Sequence, residues 1–407
     1  MIFEDIKQVL DFIKRNGLYP EIPTIEGAPT DTEVVVGGKK LLMFSSNNYL
    51  GLANHPDIKR TMIEAVQKYG MGSGGSRLVS GTTDVQLELE DAVAKFKGCE
   101  TAMTFVTGYM ANTGPIPALL NIPNISAKTV IMSKLGLKKK AAVFSDELNH
   151  ASIIDGCRLA KVDRFVYKHR DVDDLEKKLK KAKRYKRKLI ITDGIFSMAG
   201  DIAPLPQIMA LGKKYKAMVY VDDAHATGVL GENGRGTDEY FHLEEKPDVV
   251  MGTFTKSFGG IGGFIAGSKD LIDYLRATAR TYIFTAPIPP AVVAGLIKAV
   301  RIVEGDKDRI KKLWDNVNYV RTRLGEQGFN LLNSSTPIIP VLVGPDKKGI
   351  EVAKRMFEKG IFTPCVRWPA VPHERSILRV TIMTIHSREQ IDKFVDTLIQ
   401  VRKEAGF

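Results

Sequence analysis

The sequence predicts an α/β fold: a mostly parallel central sheet in a large domain, followed by a smaller C-terminal α/β domain. Three observations predict it. Short apolar runs alternate with segments of helical period from about residue 85 to residue 266, the pattern of strands covered by helices on both faces. Several of the runs stop at polar residues, as at Ser145, Asp193 and Asp222, and open α/β sheets bind ligands at such strand ends. After Pro287-Ile288-Pro289-Pro290 two long helical stretches lead into a second, shorter set of strand and helix patterns. The expected division is an N-terminal segment over 1–50, a large domain over 51–293 and a small domain over 294–407.

The elements follow in order. Residues 4–16 have the period of an amphipathic helix broken by Gly17-Leu18-Tyr19-Pro20, and residues 33–44 form a hairpin closed by Gly37-Gly38. The polar turn Ser45-Ser46-Asn47-Asn48-Tyr49-Leu50-Gly51 precedes a helix over 56–69. Five glycines punctuate residues 70–82, but the embedded Arg77, Leu78 and Val79 argue for a structured loop near a ligand rather than a linker. A helix over 85–96 follows. Strands are expected at 102–106, 142–145, 165–167, 189–193, 218–222, 249–251 and 263–266, then helices to about residues 304 and 325.

With 407 residues and 44% hydrophobic composition, the chain can bury a large core. It contains no apolar run long enough to span a bilayer and no signal-peptide order at its start, which makes the cytoplasm the expected location. Cys99, Cys157 and Cys365 have neither metal-ligand spacing nor the number for a disulfide framework. The net charge of +12 comes largely from residues 177–188 and from Lys138-Lys139-Lys140. Because Val172, Leu175 and Leu179 recur at helix spacing ahead of the longer run, a solvated helix face explains it better than nucleic-acid contact.

One lysine stands apart from this surface charge. Lys256, in Gly252-Thr253-Phe254-Thr255-Lys256-Ser257-Phe258-Gly259-Gly260, has apolar, small and hydroxylic neighbours, which suits an amine held inside a site and able to form a Schiff base. Asp222-Asp223-Ala224-His225 ends a very apolar strand, where a carboxylate could hold a ring nitrogen protonated. The junction Thr107-Gly108-Tyr109 opens a helix, whose free amides and positive dipole end suit a phosphate, with hydroxyls around Thr253 nearby. His150 could cover a flat ring. An aldimine-forming lysine, an acid partner for the ring nitrogen, a phosphate cradle and a stacking group are what pyridoxal phosphate requires of a protein. Bland readings exist for each: His150 as a helix cap or core histidine, Asp193 or Asp222 as an N-cap. Asp-Ala-His also invites a metal, but no second ligand pair at helix spacing accompanies it.

Ordered motifs run through nearly the whole chain. They are Asn47-Asn48-Tyr49-Leu50-Gly51-Leu52, Gly72-Ser73-Gly74-Gly75-Ser76-Arg77, Asn149-His150-Ala151-Ser152, Asp193-Gly194-Ile195-Phe196-Ser197-Met198, Asp222-Asp223-Ala224-His225, Thr253-Phe254-Thr255-Lys256-Ser257 and Arg379-Val380-Thr381. In these the chain resembles the α-oxoamine synthases, a family of fold-type I pyridoxal-phosphate transferases that includes 8-amino-7-oxononanoate synthase, serine palmitoyltransferase, glycine C-acetyltransferase and 5-aminolevulinate synthase. The resemblance implies that Lys256 holds the cofactor as a Schiff base, Asp222 pairs with the pyridinium nitrogen, His150 stacks on the ring, and Ser197 and His225 lie by its phenolic oxygen. It further implies phosphate contacts from Gly108, Tyr109 and Thr253, with Thr285 reaching in from a second subunit. Arg379 would bind the amino-acid carboxylate, and Asn47 and Ser76 would line the substrate pocket. Sites shared in this way imply a homodimer. The implied reaction is a decarboxylative condensation of a small amino acid with an acyl-CoA thioester, giving an α-aminoketone, CoA and carbon dioxide, with His225 and His150 joining Lys256 and Asp222 in the catalytic set.

The chain departs from the family pattern at Gln86, where a histidine is expected, at Thr255, where serine is common, and in a long 121–140 connection. Residues 74–81 resemble the oxononanoate and sphingolipid branches, residues 259–267 and 369–372 the serine palmitoyltransferases, and 378–381 the oxononanoate synthases. Oxononanoate-type synthesis is the first expectation, with a long-chain serine acyltransferase next and glycine C-acetyltransferase behind. Outside this group stand an aminotransferase, which would convert its cofactor with one amino acid alone, and a non-catalytic cofactor-binding protein.

Overall fold

The computed structural model describes residues 1–15, 17, 19, 22–123 and 141–407. The lysine triplet at 138–140, most of the 121–140 connection and part of the 17–20 helix breaker lie outside these residues. The strands are β1 (Ile25–Glu26), β2 (Glu33–Val36), β3 (Lys39–Met43), β4 (Thr101–Phe105), β5 (Ala141–Asp146), β6 (Asp163–Tyr167), β7 (Arg187–Asp193), β8 (Met218–Asp222), β9 (Val249–Thr253), β10 (Gly263–Gly267), β11 (Ile338–Gly344), β12 (Ile361–Phe362), β13 (Cys365–Val366) and β14 (Ser376–Thr381). A seven-stranded sheet runs in the order β4-β10-β9-β8-β7-β5-β6. Its ladders are parallel except for the two made by β10.

Strand alternation sends successive side chains to opposite faces, and both faces are buried. Val143, Leu189, Ile191, Tyr220 and Met251 pack with Ile116, Ile153 and Leu275 on one side. Ala142, Phe144, Ile190, Val219 and Val221 pack with Leu175, Leu179 and Ile208 on the other. Near β4 and β10 that second face is closed by Leu89, Val93, Leu296 and Val300. Parallel strands put their C-terminal ends along one edge, and the register sets Asp193 of β7 directly beside Asp222 of β8. The expected strand ends therefore meet.

The N-terminal hairpin joins the C-terminal part of the chain, because β3 pairs in parallel with β12. A separate antiparallel sheet, β11-β14-β13, is covered by helices Asp346–Glu358 and Arg388–Ala405, the latter begun by a Ser387–Gln390 capping box. Two local expectations differ from the structure. The helix that carries the basic run stops at Lys181, because Tyr185 buries its ring and Arg187 already starts β7. Within the glycine-rich loop a short helix, Arg77–Ser80, is pinned by Arg77, which pairs with Glu90 at 3.0 Å and donates to Thr104 Oγ1 at 2.7 Å. Gln86 is buried and structural, donating to the carbonyl of Ile288 at 2.9 Å.

Candidate functional site

A cavity of about 250 Å³ opens at the C-terminal edge of the sheet, lined by Asn47, Gly108, Tyr109, His150, Ser197, Asp222, His225, Thr253 and Lys256 together with Thr107, Asn112, Ser152, Asp193, Ala224, Met251 and Thr255. Most of the residues expected from the sequence thus lie around one space.

Lys256 follows β9 in a turn fixed at two points. Ser257 Oγ donates to the carbonyl of Thr227 at 2.7 Å, and Gly259 takes φ +70° against Ala53. A Cβ at residue 259 would come within 2.3 Å of the Ala53 nitrogen, so only glycine lets the lysine turn seat on the loop that carries Asn47 and Tyr49. The Lys256 carbonyl accepts from the Gly259 amide at 3.0 Å, while its Nζ makes no hydrogen bond or ion pair among the described residues. Burial lowers its amine to about 8, partly opposed by the charges of Asp222 and Asp193.

Two carboxylates side by side cannot both ionise cheaply. Burial and the neighbouring charge of Asp222 push Asp193 well above the usual carboxylate range. Asp222 accepts hydrogen bonds from Asn112 Nδ2 at 2.7 Å and from the Ala224 amide at 2.9 Å, so its oxygens are already set up for negative charge. The choice between Asp222 and Asp223 is made by alternation. Asp223 turns away from the cavity to buried Lys97 at 3.1 Å and to the hydroxyl of Thr237 at 2.6 Å.

His150 does cap the helix Ala151–Leu159, as the bland reading holds, and it also lines the cavity. Asn149 fastens it by bonding β7 through both ends of its amide, to the Ile191 carbonyl at 3.0 Å and the Asp193 amide at 2.9 Å. The His150 amide then donates to Asp193 Oδ2 at 2.9 Å, and its Nδ1 lies 2.7 Å from Ser152 Oγ. Asn112 links that hydroxyl to Asp222, with Nδ2 2.9 Å from Ser152 Oγ, while Tyr220 OH donates to Asn112 Oδ1 at 2.8 Å. Burial depresses both His150 and His225, the latter strongly with the charges of Lys256 and Arg379 adding to it. His225 Nδ1 meets the hydroxyl of Tyr49 at 2.6 Å.

At the opposite wall, Thr107 caps the helix Gly108–Thr113 by accepting from the Met110 amide. The Gly108 and Tyr109 amides make no bond among the described residues. A Cβ at residue 108 would lie 3.1 Å from Thr253 Oγ1, so glycine keeps this corner open. The Tyr109 phenol points outward to Asp155, leaving its main chain for the cavity. Thr253 Oγ1 donates to the Gly262 carbonyl at 2.7 Å and lies 3.1 Å from Thr255 Oγ1.

Arg379 is buried one layer out. Nε donates to the Ser197 carbonyl at 2.8 Å, and Nη1 and Nη2 donate to Asn47 Oδ1 at 3.2 and 3.1 Å. It forms no ion pair among the described residues. A buried guanidinium without a counter-charge is costly, which suits a carboxylate arriving from outside. Ser76 and Thr285 do not line the cavity of their own chain. Thr285 and Arg77, the neighbour of Ser76, line a separate small cleft, flanked by exposed Val79 and Phe284.

Asn112, Ser152, Tyr49 and Thr255 were not picked out as site residues from the sequence. Asn112 is fully buried, yet in the sequence it reads as an ordinary polar helix residue, and Tyr49 carries no signal beyond its motif.

A family model described as aminotransferase class I and II matches residues 39–398. The chain belongs to this family. Among curated members it is 44% identical over 397 residues to an 8-amino-7-oxononanoate synthase of Thermosipho melanesiensis, covering 98% of this chain and 97% of the relative. It is 41% identical over 400 residues to one of Thermoanaerobacter pseudethanolicus, with coverage of 98% and 97%. Among solved structures, a serine palmitoyltransferase from S. paucimobilis with a bound PLP–myriocin aldimine superposes with a TM-score of 0.89 at 32% identity, covering 99% and 98%. An 8-amino-7-oxononanoate synthase from Francisella tularensis gives a TM-score of 0.72 at 25% identity, covering 90% and 99%. Within the class I and II aminotransferases this chain is therefore an enzyme of the α-oxoamine synthase group, with the fold-type I architecture expected of it. No helix among the described residues is long and apolar enough to cross a membrane, and no group of three or more His, Cys, Asp or Glu there is placed to hold a metal ion.

Proposed function

We propose that this enzyme binds pyridoxal 5'-phosphate in the cavity and condenses alanine with a pimeloyl thioester, releasing free thiol and carbon dioxide. The observation that carries the reading is the unpaired Lys256 amine facing the Asp222–Asp193 pair. The likeness in sequence to relatives named 8-amino-7-oxononanoate synthase supports the substrate choice. That product name itself specifies the parts: carbons 8 and 9 with the amine are alanine without its carboxylate, and the remaining seven are a dicarboxylic acyl chain.

The residues present fit the cofactor. Lys256 offers an amine, the Gly108 and Tyr109 amides with the Thr253 and Thr255 hydroxyls offer a phosphate cradle, Asp222 an acid partner for a ring nitrogen, and His150 a flat cover. Ser197 and His225 would be the groups on the phenolic side. When bound, pyridoxal phosphate supplies an aldehyde that captures amines and a ring that takes up the electron pair left on the α-carbon. Lys256 Nζ, held at about 8, is free as a base in a larger fraction than an ordinary lysine and can take the α-proton. Asp222, with Asn112 fixing one of its oxygens, would hold a proton on a ring nitrogen. Arg379 and Asn47 orient the amino-acid carboxylate, and burial of His225 keeps its imidazole neutral beside Tyr49.

Arg379→Ala is expected to raise KM for the amino acid by about 100-fold while leaving KM for the thioester within threefold, because a charge-assisted pair is lost from one substrate only. Steady-state kinetics with each substrate varied in turn checks this; equal rises in both constants would remove the assignment.

A homodimer completes the proposed site. Ser76 and Thr285 lie outside the cavity of their own chain, beside Val79 and Phe284, which are 83% and 66% exposed. Sedimentation is expected to give twice the 45.0 kDa chain mass; a fully active monomer would overturn the shared site.

A long-chain serine acyltransferase is the second reading. Its support is the backbone likeness to serine palmitoyltransferase, a TM-score of 0.89 at 32% identity. Whole-length identity of 44% weighs more heavily, because backbone is shared across chemistries that side chains separate.

A further inference from the structure

His169 follows β6 and does not line the cavity, yet it touches both turns that carry cavity groups. Its Nδ1 lies 3.0 Å from Asp146 Oδ1 and its Nε2 lies 2.8 Å from Asp201 Oδ2. Carboxylates accept only, so a ring bonded through both nitrogens donates from both and is an imidazolium. Asp146 ends β5 and starts the turn to His150; it also accepts from the Leu148 amide at 2.9 Å and the Arg170 amide at 2.9 Å. Asp201 closes the turn that begins at Phe196 and contains Ser197, with the Phe196 amide donating to the Asp201 carbonyl at 3.0 Å. The ring sits edge-on to Phe196, its centroid 4.4 Å away.

The second turn is tied onward to the rest of the site. Arg379 Nε reaches the Ser197 carbonyl, and Thr336 Oγ1 and the Ser335 amide donate to the Gly200 carbonyl at 2.9 and 3.1 Å. Asp201 Oδ1 is buried with no hydrogen-bond partner, so the charge of this carboxylate rests on His169 and, at 3.3 Å, on Arg170 Nη1.

We propose that His169 is a positioning residue: bonded through both ring nitrogens, it clamps the turn that presents His150 to the turn that presents Ser197, and so fixes the spacing of those groups and of Arg379 across the cavity. The proposal rests on the reading of this cavity as the condensation site. The charged groups around the ring are Asp146 at the end of β5 and Asp201 from the second turn, with Arg170 beside Asp201 and Glu147 accepting from the His169 amide at 2.8 Å. Burial disfavours the charged ring, but the bonds to Asp146 and Asp201 outweigh it and raise His169 to about 9. The folded value lies above the ordinary 6.5, so the stabilisation is full below about pH 6.5 and is lost as pH rises through about 9.

The test compares the full enzyme with His169→Phe, which keeps a flat ring and removes both donors, and with the milder Asp201→Asn should the first fail to fold. Amide hydrogen exchange is read at 147–150 and 198–201, beside kinetics per cofactor-loaded subunit. Exchange in both turns is expected to quicken about tenfold or more, as two charged hydrogen bonds are lost. The kcat is expected to fall about 10- to 100-fold with thioester KM within threefold, since displacement rather than contact is changed. In the parent the same turns should loosen as pH passes about 9, and in the variant that step should be missing. Unchanged exchange in both turns, or faster exchange with kcat within twofold, overturns the clamp. If the parent itself releases no thiol, the proposed reaction fails while the exchange data still decide for or against the clamp.

Discussion

Lys256→Ala is expected to remove amino-acid-dependent thiol release by about 1,000-fold or more, because one amine serves both as cofactor attachment and as base. Borohydride reduction of the cofactor-loaded parent should leave a pyridoxyl group on Lys256, read by peptide mass spectrometry, and none on the variant. Capture of pyridoxal phosphate by cofactor-free protein should speed up as pH rises and level off above about 8, where the Nζ has lost its proton. A capture rate still climbing towards pH 10, as for a solvated lysine, would contradict a buried Lys256.

Asp222→Asn should cost about 100- to 1,000-fold in kcat, the scale of removing a fixed charge from a reacting site, without a comparable loss of melting temperature. The substitution keeps the shape and a bond to Asn112 but cannot hold a proton on a ring nitrogen. Asp223→Asn should behave the opposite way. It leaves Lys97, which is 1% exposed, without its carboxylate, and a broken buried pair costs about 3–5 kcal/mol of stability. Kinetics and thermal melts on the two variants check this; loss of activity with Asp223→Asn at unchanged melting would reverse the assignment.

These two aspartates mark where the sequence stopped being legible. Strands and their ends were readable because apolar runs such as Leu189-Ile190-Ile191 and Val249-Val250-Met251 are short, β-branched and bounded by polar residues. Which of two adjacent acids faces the cavity came only from the resemblance, since alternation needs the strand's register and that is a property of its neighbours. Lys256 and His150 announced themselves by their surroundings in sequence, and Arg379 by the resemblance alone.

Asn112 and His169 act through partners more than 20 residues away, and nothing local distinguishes them from a polar helix residue and a loop histidine. The glycine-rich loop was readable as structured but not in its destination. Ser76 is half-buried beside exposed Leu78 and Val79, outside the cavity, and no local pattern around it announces that place. The helix end at Lys181 was missed because a run of lysines and arginines is equally compatible with a helix and with the turn into β7.

The most direct test of the central claim is thiol release by the cofactor-loaded enzyme over alanine, glycine and serine crossed with acetyl, pimeloyl and palmitoyl thioesters, with carbon dioxide measured alongside. The site and its relatives predict release with alanine and pimeloyl thioester above all other pairs, one carbon dioxide per thiol, and none without the amino acid. A maximum at serine and palmitoyl thioester would transfer the assignment to the sphingolipid branch. Conversion of the cofactor by an amino acid alone, with no thiol from any pair, would contradict condensation altogether.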